Sequence, residues 1–299
     1  MLLCTGFALG SGMVDEIASR SCFRGLEATA EQFAADLKNN VERDMMQLEL
    51  IAGMLAEHED LESNEAVRHM KSYKQRGLVV SVGMLVPDRQ MVFSDDRFIT
   101  WQEKPVFQQE VEKAPYLSDR CRLGESGEYF VYLTVPIVKS GETKGILYGF
   151  IPAQELEKRL SSKAFDGNAQ EYIIDAKDGT ILMDTWHDTL GNVYDGSMAR
   201  RVTGGYSKEE WMENIKAGKP CYLVSHSRKA DEDFYVYSVP VSLNRWAVLL
   251  TVPESVAFED AEQIRRILYV LGAVDSILVR TSANTLSPSI SSLRLISTK

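Results

Sequence analysis

The amino-acid sequence predicts an α/β (α+β) fold in which a long N-terminal helix precedes two similar modules, each built on an antiparallel sheet. Two patterns predict this fold. Apolar residues recur at helical spacing over residues 26–58, and strand-like segments then follow in an order that occurs twice. The chain has 299 residues, which is enough for two modules that each bury a core without disulfides or metal.

A single apolar stripe predicts the N-terminal helix. Its members recur every three or four residues and are Leu26, Ala30, Phe33, Leu37, Val41, Met45, Leu48, Ile51 and Leu55. No proline interrupts this stretch, and Gly53 is its one glycine. At 1.5 Å per residue the helix is roughly 50 Å long, so we interpret it as a spine against which more than one module packs. A long helix of a bundle is the alternative.

Strand signals begin after the helix and occur in two sets. The first set contains a hairpin at 79–93 and a second hairpin at 129–152, each with polar turn residues in its middle. The second set contains a hairpin at 172–183 and strands at 234–241 and 246–254. A divergent repeat of about 90 to 100 residues predicts two modules in series and not a solenoid, whose repeats are far shorter.

Both ends of the chain are apolar, which favours a connection to a membrane. Neither end has the about 20 apolar residues that span a bilayer, so a buried or disordered terminus is the alternative. We expect six segments in all. They are a remnant of a transmembrane helix at 1–14, a long stalk helix at 15–66, a membrane-distal module at 67–163, a membrane-proximal module at 164–255, a helix toward the membrane at 256–280 and a disordered tail at 281–299.

Composition excludes several classes of function. The formal net charge is −10 and there is no basic block, so the chain is a poor nucleic-acid binder. The four cysteines form no CxxC pair, and a bridge between Cys121 and Cys221 is the less favoured interpretation. The sequence has no nucleophile elbow, zinc-protease motif or phosphate-binding loop, so we expect no catalytic residues, no cofactor and no metal.

The order of these elements resembles the double Cache family of bacterial sensors, whose two modules are PAS-like. The resemblance covers roughly residues 26–265. The residues that carry it are Lys104-Pro105-Val106-Phe107-Gln108, Pro115-Tyr116-Leu117-Ser118-Asp119 and Val135-Pro136-Ile137 in the first module, and Tyr172-Ile173-Ile174-Asp175, Asp178-Gly179, Asn244-Arg245-Trp246 and Val252-Pro253-Glu254 in the second.

The stretch at 183–192 is also similar to the sensor regions of membrane-bound diguanylate cyclases from gut Firmicutes. The resemblance implies an extracytoplasmic ligand-sensing region of a transmembrane receptor, held in the membrane by flanking helices. It also implies a homodimer in the full receptor and a cytoplasmic cyclase domain that this chain lacks. A soluble hydrolase or transferase with an unrecognised site is the alternative.

The candidate ligand site lies in the first module, where Arg97, Trp101, Arg120, Tyr129 and Tyr132 lie on or between predicted strands. An arginine offers paired donors to a carboxylate, and aromatic rings can form the walls of a small pocket. We therefore expect a small anionic or zwitterionic ligand, such as an amino acid or an organic acid. For the aromatic residues the alternative is core packing, and for the arginines it is surface charge.

Two observations keep other sites open. Amino-acid-binding members of the family carry an RxWY motif where this chain has residues 103–107, and the motif does not match. In the second module, Trp186 and Tyr237 offer a second place for a ligand. Asp184, His187 and Asp188 could either bind a divalent cation or cap a turn.

Overall fold

The computed structural model describes most residues of the chain. They are residues 2–73, 75–87, 91–94, 105–122, 127–160, 164–185, 191–195, 201–228, 230–259, 261–267, 269–271 and 273–274. The chain divides into two compact units. The larger unit is Phe23–Pro253, and the smaller one combines Met1–Cys22 with Glu254–Lys299.

The smaller unit is helical where it is described. It contains the first part of helix α1, which spans Leu2–Ala56, and helix α6 at Glu254–Ala257. None of the described helices combines the length and the apolar character needed to cross a bilayer. Residues 281–299, for which we predicted a disordered tail, lie outside the described residues.

In the larger unit, helix α1 continues over residues 23–56, which corresponds to roughly 50 Å of helix. The predicted apolar stripe is buried along most of its length. Tyr222 of the second module donates a hydrogen bond to Glu27 of α1, and Asp44 of α1 contacts the first module. The predicted spine is therefore confirmed.

The first module is built around one antiparallel sheet. Its elements are α2 (Asn64–Lys71), β1 (Ser81–Leu85), β2 (Val92–Phe93), α3 (Phe107–Lys113), β3 (Tyr116–Leu117), β4 (Cys121–Arg122), β5 (Tyr129–Lys139), β6 (Glu142–Pro152) and α4 (Ala153–Leu160). The strand order is β2-β1-β6-β5-β3, and β4 also pairs with β5. The long β5–β6 hairpin confirms the prediction for residues 129–152.

The second module repeats this arrangement in a separate sheet. Its elements are β7 (Gln170–Asp175), β8 (Ile181–Asp184), β9 (Arg201–Val202), α5 (Lys208–Lys216), β10 (Cys221–Ser227), β11 (Glu232–Pro240) and β12 (Trp246–Pro253). The strand order is β8-β7-β12-β11-β10-β9. The orders β2-β1-β6-β5 and β8-β7-β12-β11 are equivalent, which confirms the internal repeat. Cys121 and Cys221 are not joined by a disulfide.

The period of two along the strands places α1 and the module interior on opposite faces of the first sheet. A Cβ added at Gly149 of β6 would lie 2.7 Å from Leu48 of α1, so Gly149 faces the helix. Its neighbours Tyr148 and Phe150 point to the other face, where both rings are buried. The close approach of α1 to this sheet therefore requires a glycine at 149.

Asp44 connects α1 to the chain that enters β1. Its side chain is 1% exposed, and Oδ2 accepts hydrogen bonds from the backbone N–H groups of Leu78 (2.6 Å) and Val79 (3.0 Å). Within the described residues, Oδ1 has no hydrogen-bond partner. Burial raises the pKa of this carboxyl, and the two backbone hydrogen bonds oppose that shift. A Cβ added at Gly77 would lie 1.7 Å from Oδ1, so position 77 also requires glycine.

We predict that Asp44→Ala destabilises the protein by about 1–3 kcal/mol for each backbone N–H that loses its acceptor. Asp44→Asn keeps an oxygen acceptor and should lower the free energy of unfolding much less than Asp44→Ala does. Folding raises the pKa of Asp44, so the free energy of unfolding falls as the pH rises above about 3.9, the pKa of an aspartate in the unfolded chain. Asp44→Asn should therefore gain stability relative to the wild type as the pH rises from 4 to 7. Urea unfolding measures both effects, and equal losses for the two variants would contradict the assignment.

Candidate functional site

One face of the first sheet carries a cluster of aromatic and aliphatic side chains. The buried members are Leu85, Phe130, Tyr132, Ile146, Tyr148 and Phe150, and the partly buried ones are Val80, Met91, Phe93, Phe107, Val111, Ala114, Tyr116 and Cys121. The register accounts for the grouping, because Tyr132 lies directly opposite Phe150 and Gly83 directly opposite Tyr148. We call this group the aromatic cluster.

Helix α3 places a carboxylate against the aromatic cluster. Glu110 is 4% exposed, although it lies in a seven-residue helix that is otherwise rich in exposed polar residues. Its Oε2 accepts hydrogen bonds from the hydroxyls of Tyr116 (2.7 Å) and Tyr148 (2.8 Å). Oε1 lies 3.7 Å from the ammonium of Lys113, whose side chain is more than half exposed.

Tyr132 extends this network by one step, because its hydroxyl lies 2.8 Å from the hydroxyl of Tyr116. Since the Tyr116 proton points to Glu110, Tyr132 must be the donor in this second bond. Burial raises the pKa of Tyr116, Tyr132 and Tyr148, and the nearby carboxylate of Glu110 contributes to each shift. The phenols therefore remain neutral donors. Tyr116 and Tyr148 donate to the buried carboxylate of Glu110, and Tyr132 donates to Tyr116.

This arrangement can bind a cationic or hydrogen-bond-donating group. Burying a carboxylate among aromatic rings has a large desolvation free energy unless hydrogen-bond donors surround it. A ligand group that donates a further hydrogen bond to the carboxylate lowers that free energy. Aromatic faces attract an ammonium group as well. The network offers acceptors to a ligand amine, and the rings offer apolar walls to the rest of a small ligand.

The structure separates the predicted site residues into two groups. Tyr132 belongs to the aromatic cluster. Tyr129 lies three residues earlier on β5, so its side chain points to the opposite face. The Arg120 guanidinium lies 4.3 Å from the centre of the Tyr129 ring and donates a hydrogen bond to the Ile181 carbonyl of the second module. Arg120 and Tyr129 thus contact each other away from Tyr132.

Arg97 and Trp101 lie outside the described residues, as do Trp186, His187 and Asp188. Among the described residues there is no group of three or more side chains suited to hold a metal ion.

The second module fills the equivalent face with an apolar core. Trp211 of α5 is 6% exposed, and its indole N–H donates to the Ser238 hydroxyl at 3.1 Å. Tyr237 points to the other face, where its ring centre lies 4.8 Å from that of Tyr222. Burial of the Cys221 thiol in this core raises its pKa to about 11. Both aromatic residues are therefore packing residues in this structure.

We predict that Tyr116, Tyr132 and Tyr148 stay neutral in the folded protein at a pH where exposed tyrosines, with a pKa of about 10, ionise. Because their pKa values are raised only in the folded state, stability should fall as the pH rises above about 10. Ultraviolet difference titration should give a late ionisation step that coincides with unfolding, and urea-unfolded protein is the control. A folded protein in which all 12 tyrosines titrate together near the exposed value would disprove the network.

Solved structures that share this fold include the extracellular domain of a histidine kinase and the ligand-binding domains of two chemoreceptors. The extracellular domain of mmHK1S-Z3, described as a histidine kinase, superposes with a TM-score of 0.61 at 14% identity, over 81% of this chain and 98% of that one. The ligand-binding domain of the Pseudomonas aeruginosa amino-acid chemoreceptor PctB, solved with L-Arg, gives 0.57 at 15% identity, over 78% and 95%. That of the Pseudomonas fluorescens chemoreceptor CtaA, solved with L-isoleucine, gives 0.58 at 14% identity, over 83% and 97%.

At these identities the structural likeness establishes the fold alone. No curated protein matches the sequence significantly. The dCache_1 family model, described as a Cache domain, matches residues 16–261, which is well over half of the chain. The chain therefore belongs to the double Cache family of sensor domains.

Proposed function

We propose that this chain is the extracytoplasmic ligand-sensing region of a bacterial transmembrane receptor, and that the aromatic cluster with Glu110 is its ligand site. The observation that carries the proposal is the buried carboxylate of Glu110, on which two phenols converge. A module that needed only a stable core could fill the same space with apolar side chains, because replacing a buried polar network in this way is often neutral or stabilising.

The same observation indicates the chemical class of the ligand. Glu110 repels a carboxylate and attracts an ammonium group, so a purely anionic solute fits poorly. A zwitterion or an amine fits, with its ammonium group at Glu110 and its apolar part against the rings. PctB and CtaA were solved with L-Arg and L-isoleucine, which supports an amino acid here as well. Arg97 and Trp101 stay predictions for the acidic end of such a ligand.

The membrane connection and the output domain are further parts of the proposal. The segment at 1–14 precedes the modules in the sequence and the segment at 256–280 follows them, and both would lead toward the membrane. The similarity at 183–192 supports a cytoplasmic diguanylate cyclase as the output. In the same orientation, the module at 67–163 is the membrane-distal one and the module at 164–255 is the membrane-proximal one.

We predict that Glu110→Gln weakens binding of the ligand by ten- to a hundredfold, because a hydrogen bond to a charged group is worth about 1.5–3 kcal/mol. A thermal-shift screen of amino acids, amines and organic acids would identify the ligand, and calorimetry would measure the variants. The matched control is Glu112→Gln, which removes an exposed charge from the same helix. If an organic acid without an amine binds and Glu110→Gln leaves its affinity unchanged, the site lies elsewhere.

We also propose that the receptor is a homodimer in which α1 contributes to the interface. Met46, Leu50 and Met54 form an apolar row at spacings of four on α1, and they are 56%, 71% and 53% exposed. Such a row on a long helix is typical of helix–helix packing, and the same row on a second copy is its simplest partner. Gly53 beside it leaves open space for close approach.

We predict that Leu50→Glu shifts the protein from dimer to monomer in sedimentation experiments, because it places two charges in the proposed contact. Lys219→Glu adds an acidic side chain at an exposed position of the second module and should leave the dimer intact. A protein that sediments as a monomer before substitution, or a dimer that tolerates Leu50→Glu, would exclude this interface.

A further inference from the structure

Residues 116–120 connect the ligand cluster of the first module to the second module, and we call them the coupling segment. At one end, the Tyr116 hydroxyl donates to Glu110. The backbone of this end is bonded to β5 alone. β3 comprises only two residues, the Tyr116 backbone exchanges hydrogen bonds with the Thr134 hydroxyl, and the Ser118 N–H donates to the Tyr132 carbonyl at 2.9 Å. A change at the Tyr116 phenol can therefore move the segment without breaking a long strand ladder.

The other end of the coupling segment is held by the loop before β12 and, through Arg120, by the Ile181 carbonyl of β8. The side-chain amide of Asn244 donates to the Leu117 carbonyl at 3.2 Å. The Arg245 guanidinium donates through Nη2 to the Asp119 carboxylate at 2.7 Å. Two successive residues of the second module thus bind two residues that follow Tyr116 closely.

Arg245 is fixed on the second module before it reaches the first. Its Nη2 and Nε donate to the Asp175 carboxylate at 2.8 and 3.3 Å, and the side chain of Asp175 is 9% exposed. The Arg245 carbonyl also accepts a hydrogen bond from the Ala176 N–H at 2.7 Å. The guanidinium therefore keeps its place whether or not Asp119 is bound.

The bond from Arg245 to Asp119 is the weaker of the two. The side chain of Asp119 is 71% exposed, so solvent screens this ion pair and its net contribution is small. The pair with Asp175 is shielded on one side. Arg245 is thus bound firmly to the second module and weakly to the first. A small movement of the coupling segment can break or form the weak contact.

We propose that Arg245 and Asn244 are positioning residues of the first-module ligand site. They hold the coupling segment where Tyr116 reaches Glu110, and a ligand that takes the place of the Tyr116 phenol at Glu110 breaks the contacts of Asn244 and Arg245 with the segment. The ligand part rests on the proposed function above, whereas the coupling between the modules does not. Coupling between two sites is reciprocal. If the ligand weakens the Arg245–Asp119 contact by some free energy, loss of that contact must strengthen ligand binding by the same free energy.

The coupling can be tested without any ligand by hydrogen–deuterium exchange. Tyr116→Phe removes the bond to Glu110, and we expect severalfold faster exchange in the second module at 173–177 and 241–247. In an Asp119→Asn background those segments should already exchange faster, and adding Tyr116→Phe should change them little. Asp119→Asn alters an exposed side chain and leaves the Arg245–Asp175 pair in place, so the variant should fold. Tyr73→Phe, which removes the hydroxyl bonded to the Val79 carbonyl in the same module, is the matched control.

Equal increments from Tyr116→Phe in both backgrounds, or no change in the second module, would overturn the inference. So would a control variant that has the same effect as Tyr116→Phe. With an amino acid from the screen, Arg245→Gln should lower the dissociation constant severalfold, because the held segment competes with the ligand for Glu110, and Arg245→Lys should bring the constant part of the way back to the wild-type value. If the exchange experiment succeeds while no solute binds near Glu110, the proposed function fails and the coupling stands. If a ligand binds at Glu110 and exchange shows no coupling, the inference alone fails.

Discussion

Burial of the α1 stripe is the constraint on which the rest of the larger unit depends. Each fully buried leucine in it contributes about 1.5–3 kcal/mol, and the stripe runs from Leu26 to Leu55. Because the stripe packs on the first module near Leu48 and on the second near Phe23, one face of each sheet is committed to the helix. The alternation of side chains along the strands then places the other half of the strand side chains on the opposite face, where the candidate site lies.

The two modules use that opposite face differently, although their strand orders match. In the second module α5 inserts Trp211, whose one polar atom is paired with Ser238, and the space is filled. In the first module α3 inserts Glu110, whose carboxylate needs several donors. The same scaffold thus carries an apolar core in the second module and a polar network among rings in the first. Of the two, the network in the first module offers a carboxylate to which a ligand can donate.

The sequence predicted what local periodicity determines. The helical stripe, the two hairpin sets and their repetition are visible as spacings of three to four and of two, so the fold followed from them. The candidate site proposed here followed only in part. Tyr132 was predicted, but Glu110 was not, because a glutamate on a short polar helix is normally exposed and its burial depends on how α3 approaches β6. Arg120 and Tyr129 were grouped with Tyr132 although three residues separate Tyr129 from Tyr132, and an odd spacing on a strand reverses the face.

A ligand can shift a receptor only by binding its two states with different affinity. Most contacts of a small solute with the aromatic cluster would be alike in both states, because its four buried rings lie on the long β5–β6 hairpin. The hydrogen bonds to Glu110 are different in kind, since Tyr116 belongs to a two-residue edge strand and can leave the carboxylate when a ligand amine replaces it. The difference in affinity must therefore arise largely from the exchange of one donor for another at Glu110. A buried carboxylate tolerates that exchange because it remains paired throughout, and this is the physical reason why a charged group, costly to a core, suits a sensor.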